Sequence, residues 1–152
     1  MDDALVWDGN WAWSLPLIVV SVMYHVIGLS FINDKIMRIA RVVKNKHKAV
    51  LVALAIGIAT LLATLLHAIE AAVWAFVYWI LGALPDGKLA LLYSLGAMTT
   101  YGHESFDLAD HWRLMGALEA LNGMILFGLT TAFLFAMIRE FWPNPDRSER
   151  VK

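Results

Sequence analysis

Three long apolar segments and one short apolar segment alternate with polar stretches along the chain. The long segments cover about residues 11–32, 49–84 and 111–138, and each reaches the roughly 20 residues that a membrane-spanning helix requires. The short segment, residues 89–98, falls below that length and lies between the second and third long segments. The pattern predicts an all-α integral membrane protein with three transmembrane helices.

The short segment ends in a polar stretch that contains Thr and Gly. Irregular backbone at membrane depth is tolerated only where it is buried in protein or lines a water-filled path. We therefore predict a short re-entrant pore helix at about residues 87–98 that enters the membrane partway and returns through a filter-like loop. The predicted ion pathway consists of Thr99, Thr100, Tyr101, Gly102, His103 and Glu104.

Charged and turn-forming residues divide the chain into four parts. We assign residues 1–33 to an N-terminal transmembrane helix, residues 34–48 to a basic cytoplasmic connector, residues 49–138 to a pore-module-like domain and residues 139–152 to a cytoplasmic tail. Helical spacing of apolar residues in the connector predicts a short amphipathic helix at the membrane surface. The basic residues of the connector either bind a lipid headgroup or a nucleotide, or only mark it as a cytoplasmic loop. Pro16 is expected in the first turn of the first span, where its missing N–H costs little.

Positive charge is concentrated in the connector and the tail, which hold ten of the twelve Lys and Arg residues. Because such residues accumulate in cytoplasmic loops, we expect the N-terminus outside the cell and the C-terminus in the cytoplasm. Of the 152 residues, 60% are hydrophobic and 16% charged, which fits one membrane domain. The sequence has no cysteine for a disulfide or thiolate metal site, and no basic patch with interleaved aromatics that would predict a nucleic-acid partner.

Several polar residues fall inside the predicted helices, where an ionisable side chain indicates a functional site or a buried partner. His67 and Glu70 are three residues apart and share a helix face. For Glu70 and Glu119 two interpretations stay open: a metal or proton site made with His67, or structural hydrogen bonds behind the filter. His25 is interpreted as a helix-packing histidine with a hydrogen-bonded ring. The candidates for filter support are His67, Glu70, Arg113, Glu119 and Asn122.

One face of the third predicted span carries a stripe at 100° per residue. The stripe comprises Glu119, Asn122, Leu126, Thr130, Phe133 and Met137. It either lines a pore, with Phe133 or Met137 as a hydrophobic constriction, or packs against a neighbouring helix. Gly123 and Gly128 are candidate hinges, although glycine in membrane helices also serves close packing. Gly123, Phe133 and Met137 are therefore the candidate gate residues.

Residues 66–137 resemble the pore module of small bacterial two-transmembrane, potassium-channel-type ion channels, here preceded by an extra N-terminal span. Three stretches carry the resemblance: HAIEAAVWAFVY at residues 67–78, LYSL followed by TT within residues 92–100, and WRLMGALEALNG at residues 112–123, continuing through residue 135. The resemblance implies two helices flanking a pore loop, a homotetramer in the bacterial inner membrane, and a monovalent cation such as potassium in the pore. It implies no other cofactor.

The filter of that family reads Thr-Val-Gly-Tyr-Gly. Laid on this chain without a gap, it meets Thr100, Tyr101, Gly102, His103 and Glu104, so the first Thr and the first Gly match. Glu104 stands where the family has its second Gly. Glycine relieves the steric cost of left-handed backbone at that position, and a glutamate would resist it. The resemblance therefore implies a cation channel with an altered filter that discriminates weakly among cations.

Acidification is expected to reduce conduction through such a channel. Four copies of His103 close to one axis would titrate near pH 6.5 if unperturbed. Their protonation adds positive charge at a mouth where Glu104, with Asp107 and Asp110 nearby, otherwise attracts cations. Cation flux into liposomes should fall between about pH 8 and about pH 5, and His103→Gln should remove that dependence. Flux that is constant over this range would exclude the histidine ring.

Two other classes of function stay open. One is a non-conducting accessory or sensing membrane protein on a channel scaffold, for instance with His103 and Glu104 paired to Arg113 or Lys88 and plugging the loop. The other is a metal-ion transporter that uses a polar set of His67, Glu70, Glu119 and His103. No catalytic residue and no resident metal is assigned. The sequence shows no nucleophile–base constellation, phosphate loop or dinucleotide fingerprint, so we do not expect an enzyme.

Overall fold

The computed structural model describes residues 3–42, 48–102 and 107–141, and in these ranges the chain is helical without a β-strand. The helices are α1 (Asp3–Val42), α2 (Lys48–Ile80), α3 (Gly87–Met98) and α4 (Arg113–Phe141), with a 3-10 turn at Asp110–Trp112 before α4. Within the described ranges, three segments of 32 residues each are long and apolar enough to span a membrane: Trp7–Arg38, Ala49–Ile80 and Asp110–Phe141. The predicted all-α class with three candidate spans is confirmed.

The outer faces of the long helices are apolar. Side chains on α1 and α2 such as Val20, Ile27, Phe31, Leu61 and Phe76 are each more than half exposed in the isolated chain. A soluble monomer rarely exposes so much contiguous apolar surface, whereas a bilayer solvates it. The exposed surface therefore fits a lipid-facing position for these helices.

The helix α1 continues well past the first predicted span. It is one helix of 40 residues, so the prediction of a separate amphipathic helix is wrong over residues 34–42. Ile36 is buried together with Ile32 and packs with Ala59 of α2, which holds the extension against the bundle. Residues 43–47 of the connector, like the tail from residue 142, lie outside the described part. Pro16 lies in the interior of α1 and not in its first turn.

The short helix α3 has the predicted bounds. A turn with a positive φ at Gly82 follows α2, and Oδ1 of Asp86 then caps α3 by accepting a hydrogen bond from the Leu89 backbone N–H at 2.9 Å. The buried residues of α3 include Ala90, Ser94 and Ala97, whose small side chains allow close packing against α2 and α4. α3 is thus held between the second and third candidate spans.

Asn10 fastens α1 to the beginning of α4. Its Nδ2 donates to the His111 carbonyl oxygen at 2.7 Å, and its Oδ1 accepts from the Met115 backbone N–H at 2.9 Å. The N–H groups of a first helical turn have no intrahelical acceptor, so a buried amide from another helix supplies one. The N-terminal half of α1 is therefore anchored to the beginning of the third candidate span.

Candidate functional site

Two buried polar clusters lie between the helices. We call Tyr78, Ser94 and Glu119 the brace, because they join α2, α3 and α4. We call His25, His67, Glu70 and Thr130 the histidine cluster, which joins α1, α2 and α4. Buried polar groups in a membrane need such partners because no water is present to replace them.

The brace fixes α3 to both of its neighbours. The Tyr78 hydroxyl donates to Glu119 Oε2 at 2.7 Å, and Ser94 Oγ donates to the Ala71 carbonyl oxygen at 2.7 Å. Ser94 Oγ also lies within hydrogen-bond distance of Glu119 Oε1. Tyr78, Ser94 and Glu119 are all fully buried. The short helix is therefore held in place by specific hydrogen bonds in addition to apolar packing.

All protons of the brace can be placed if Glu119 is neutral. Ser94 has one hydroxyl proton, so it cannot donate to both Ala71 and Glu119. If Glu119 is a carboxylic acid, it donates to Ser94, Ser94 donates to Ala71, and Tyr78 donates to the remaining oxygen of Glu119. Every proton and acceptor is then used once, and no charge is left in the apolar interior.

Gly123, one turn after Glu119 on α4, lies against Met98, the last residue of α3. A Cβ built on Gly123 would lie 2.7 Å from Cα and 2.8 Å from the carbonyl carbon of Met98. Only glycine therefore fits at this crossing. Asn122 beside it is fully buried, and both polar atoms of its amide lack a hydrogen-bond partner in the described structure.

The loop after α3 begins with a strained residue. The Thr100 N–H donates to Ala97 O at 3.0 Å and the Tyr101 N–H donates to Gly96 O at 3.0 Å, which is the Schellman pattern of a helix C-terminus. Thr100 takes the left-handed position of this motif with a φ of 56°, where glycine is usual. Gly102 also has a positive φ, of 80°. The four described residues of the predicted ion pathway thus include a β-branched residue in an unfavourable conformation.

The loop lies on an uncovered surface of the single chain. Tyr101 is 90% exposed, and Thr99, Thr100 and Gly102 are exposed or border a cleft of about 310 Å³ beside α4. Tyr93 also lines this cleft, and chiefly burial raises its pKa to about 12. The phenol therefore stays neutral. His103 and Glu104 lie outside the described residues.

The histidine cluster is built around the Glu70 carboxylate and the Thr130 hydroxyl. His25 Nδ1 lies 2.9 Å from Glu70 Oε1, and His67 Nδ1 lies 3.5 Å from Glu70 Oε2. The Nε2 atoms of His25 and His67 lie 2.9 Å and 3.1 Å from Thr130 Oγ1. His25, Glu70 and Thr130 are buried, and His67 is partly buried. The predicted shared face of His67 and Glu70 is confirmed, as is the hydrogen-bonded ring of His25.

The structure separates other residues that the sequence grouped. Glu119 belongs to the brace and Glu70 to the histidine cluster, so within the described chain the two carboxylates do not form one site with His67. Arg113 is exposed and pairs with Asp110 at 3.0 Å.

The predicted stripe on α4 faces the inside of the chain. Glu119, Asn122, Leu126, Thr130 and Met137 are buried, and Phe133 packs partly buried near Met137. Of the two interpretations of this face, packing against neighbouring helices is the one its contacts show. Met137 and Phe133 pack with α1 and α2 residues in the same cluster and also line a cleft of about 520 Å³ between α1 and α4, whereas Gly123 contacts α3.

Sequence reasoning missed Tyr78 and Ser94 as partners of Glu119, and it missed Thr130 as the hydroxyl between two histidines. Depth in the membrane could have indicated these partners, because polar side chains at similar depths on neighbouring spans tend to hydrogen-bond to each other. His25, His67 and Thr130 all lie near the middle of their candidate spans.

No protein-family model, curated protein or solved structure shows significant similarity to this chain.

Proposed function

We propose that the chain forms a homotetrameric, weakly selective cation channel in which α3 is a re-entrant pore helix and the loop from Thr99 onwards is the ion pathway. The observation that carries the proposal is Thr100, which keeps a left-handed backbone at the end of a short, braced helix. Such strain costs about 1–3 kcal/mol and persists where the surroundings impose it, often at functional sites.

The end of α3 suits a cation. The macrodipole gives a helix C-terminus about half a negative charge, which favours cations nearby. In a channel filter, backbone carbonyls replace the hydration shell of the ion. Thr99, Thr100 and Gly102 supply carbonyl groups directly after this helix end.

The uncovered loop favours a closed cyclic assembly. One chain supplies one loop, which cannot enclose a path, and polar backbone at membrane depth must be covered by protein or water. Closed rotational symmetry would bring several loops to one axis and cover them. Four is the number implied by the resemblance to potassium-channel pore modules.

Ion flux through the purified full-length chain in liposomes tests the proposal. We expect potassium and sodium flux within about one order of magnitude of each other, little chloride flux, and a tetramer in native mass spectrometry. Thr100→Gly should fold at least as stably, since it relieves about 1–2 kcal/mol of left-handed strain, but it should lower flux or change the potassium-to-sodium ratio severalfold. Thr131→Ala, on an exposed face of α4, is the matched control.

Three results would contradict the proposal in distinguishable ways. Sodium exclusion as sharp as in an ordinary potassium channel would refute weak selectivity. A monomer or dimer in mild detergent would refute the tetramer. A stable tetramer without flux would favour the accessory or sensing alternative.

A further inference from the structure

The histidine cluster contains a buried oxygen that lacks a hydrogen-bond partner. Glu70 Oε2 is inaccessible, and it accepts no hydrogen bond within the described structure. Its nearest polar neighbour is Nδ1 of His67, at 3.5 Å. An unsatisfied carboxylate oxygen in an apolar interior is costly, so its position beside two imidazole rings indicates a missing positive species.

We assign the tautomers of the two rings from their hydrogen-bond partners. With both rings neutral and Glu70 ionised, His25 Nδ1–H donates to Glu70, Thr130 donates to His25 Nε2, and His67 Nε2–H donates to Thr130. His67 Nδ1 then presents a lone pair to the lone pairs of Glu70 Oε2. Two acceptors facing each other across 3.5 Å leave room for a cation between them.

We propose that His25, His67 and Glu70 form a buried binding site for a divalent transition-metal ion of the zinc class. Their ligand atoms all lie within 4.8 Å of one another. A tetrahedral zinc ion with bonds of about 2.0–2.1 Å holds neighbouring ligand atoms about 3.3 Å apart. The distance from His25 Nδ1 to Glu70 Oε1, 2.9 Å, and the distance from His67 Nδ1 to Glu70 Oε2, 3.5 Å, lie on either side of that value. Two imidazoles and one carboxylate are a donor set that suits zinc.

Thr130 supports the metal-bound form of both rings. A histidine that binds a metal through Nδ1 carries its proton on Nε2 and needs an acceptor there. The Nε2 atoms of His25 and His67 both lie within 3.1 Å of Thr130 Oγ1, which has two lone pairs and can accept both hydrogen bonds. One hydroxyl on α4 thus orients two ligands on two other helices.

The site would connect the N-terminal span to the pore-module-like part of the chain. His25 belongs to α1, whereas His67 and Glu70 belong to α2, so a shared ion would join the two helices at mid-depth. This inference does not depend on conduction, because none of the three ligands belongs to the loop after α3. Metal binding and ion flux can therefore succeed or fail separately.

Zinc content of the intact chain tests the site. Full-length protein without a polyhistidine tag is equilibrated with zinc in mild detergent, desalted and analysed by mass spectrometry of the metal. We expect about one zinc per chain, and a rise of roughly 5 °C or more in Tm at a hundredfold excess over Kd that EDTA reverses. His25→Ala and Glu70→Gln should lose the ion. Thr130→Val should bind about 10–100-fold more weakly, and Thr130→Ser should bind normally.

His111→Ala is the matched control, because His111 lies in the 3-10 turn before α4, away from the cluster, and should keep full zinc content. Wild-type zinc below about 0.1 per chain, or full zinc content in both His25→Ala and Glu70→Gln, would overturn the proposal. If these variants do not fold, Co²⁺ bound to the wild type decides: a tetrahedral visible spectrum supports the site, and an octahedral spectrum overturns it.

Discussion

Replacing Glu119 with leucine is expected to lower the Tm of the protein by on the order of 10 °C, whereas Glu119→Gln should change it little. Leucine removes the acceptor of the Tyr78 hydroxyl and one of the two partners of Ser94, which keeps its bond to the Ala71 carbonyl oxygen. A buried polar group left without a partner costs about 1–3 kcal/mol. Glutamine can donate from its amide to Ser94 and accept from Tyr78 with its oxygen. The comparison therefore separates the hydrogen bonds of the brace from its charge.

Thermal unfolding in a single detergent, followed by tryptophan fluorescence, measures both variants. Glu140→Leu serves as the control, since Glu140 is an exposed carboxylate near the end of the same helix. If Glu119→Gln destabilises the chain as strongly as Glu119→Leu, the carboxyl group is ionised in the native state and the proton count of the brace is wrong. If neither substitution lowers Tm, the brace does not hold α3.

Gly123→Ala is expected to destabilise the chain by about 1–3 kcal/mol, the usual cost of overpacking. The new methyl group would overlap backbone atoms of Met98, which cannot rotate away as a side-chain end could. α3 and α4 must then separate by a fraction of an ångström or more, and the loop that follows Met98 moves with them. We therefore expect a lower Tm together with altered ion selectivity in the liposome assay.

Gly128→Ala is a matched control for this substitution. Gly128 is on the same helix, and a Cβ built there meets nothing within 4 Å, so alanine should be neutral or slightly stabilising through its better helix propensity. A hinge function for both glycines would instead alter flux in both variants without lowering Tm. Wild-type stability in Gly123→Ala would contradict the close approach of the two helices.

The local pattern of the sequence determined the helices well. Span length and composition predicted three long apolar helices, and turn residues on both sides of residues 87–98 predicted α3 at its observed bounds. The shared face of His67 and Glu70 also followed from helical spacing alone. These properties depend on residues close in sequence, whose geometry the α-helix fixes.

Which faces meet was decided only by the tertiary structure. In a bilayer, lipid-facing and helix-facing positions are both apolar, so hydrophobicity cannot tell them apart. The stripe on α4 could line a pore or pack inside the chain, and only the contacts of Leu126 and Met137 distinguish the two. In the same way, α1 continues beyond residue 33 because Ile36 packs against α2.

The polar partners were decided in the same way. His25 bonds to Glu70 across 45 residues, and Ser94 meets Glu119 across 25 residues. The sequence established that each of these polar side chains needs a partner, because an unsatisfied polar group is costly in an apolar interior. It could not establish which partner, because that choice depends on the rotation and depth of each helix relative to the others, which packing of the whole bundle sets.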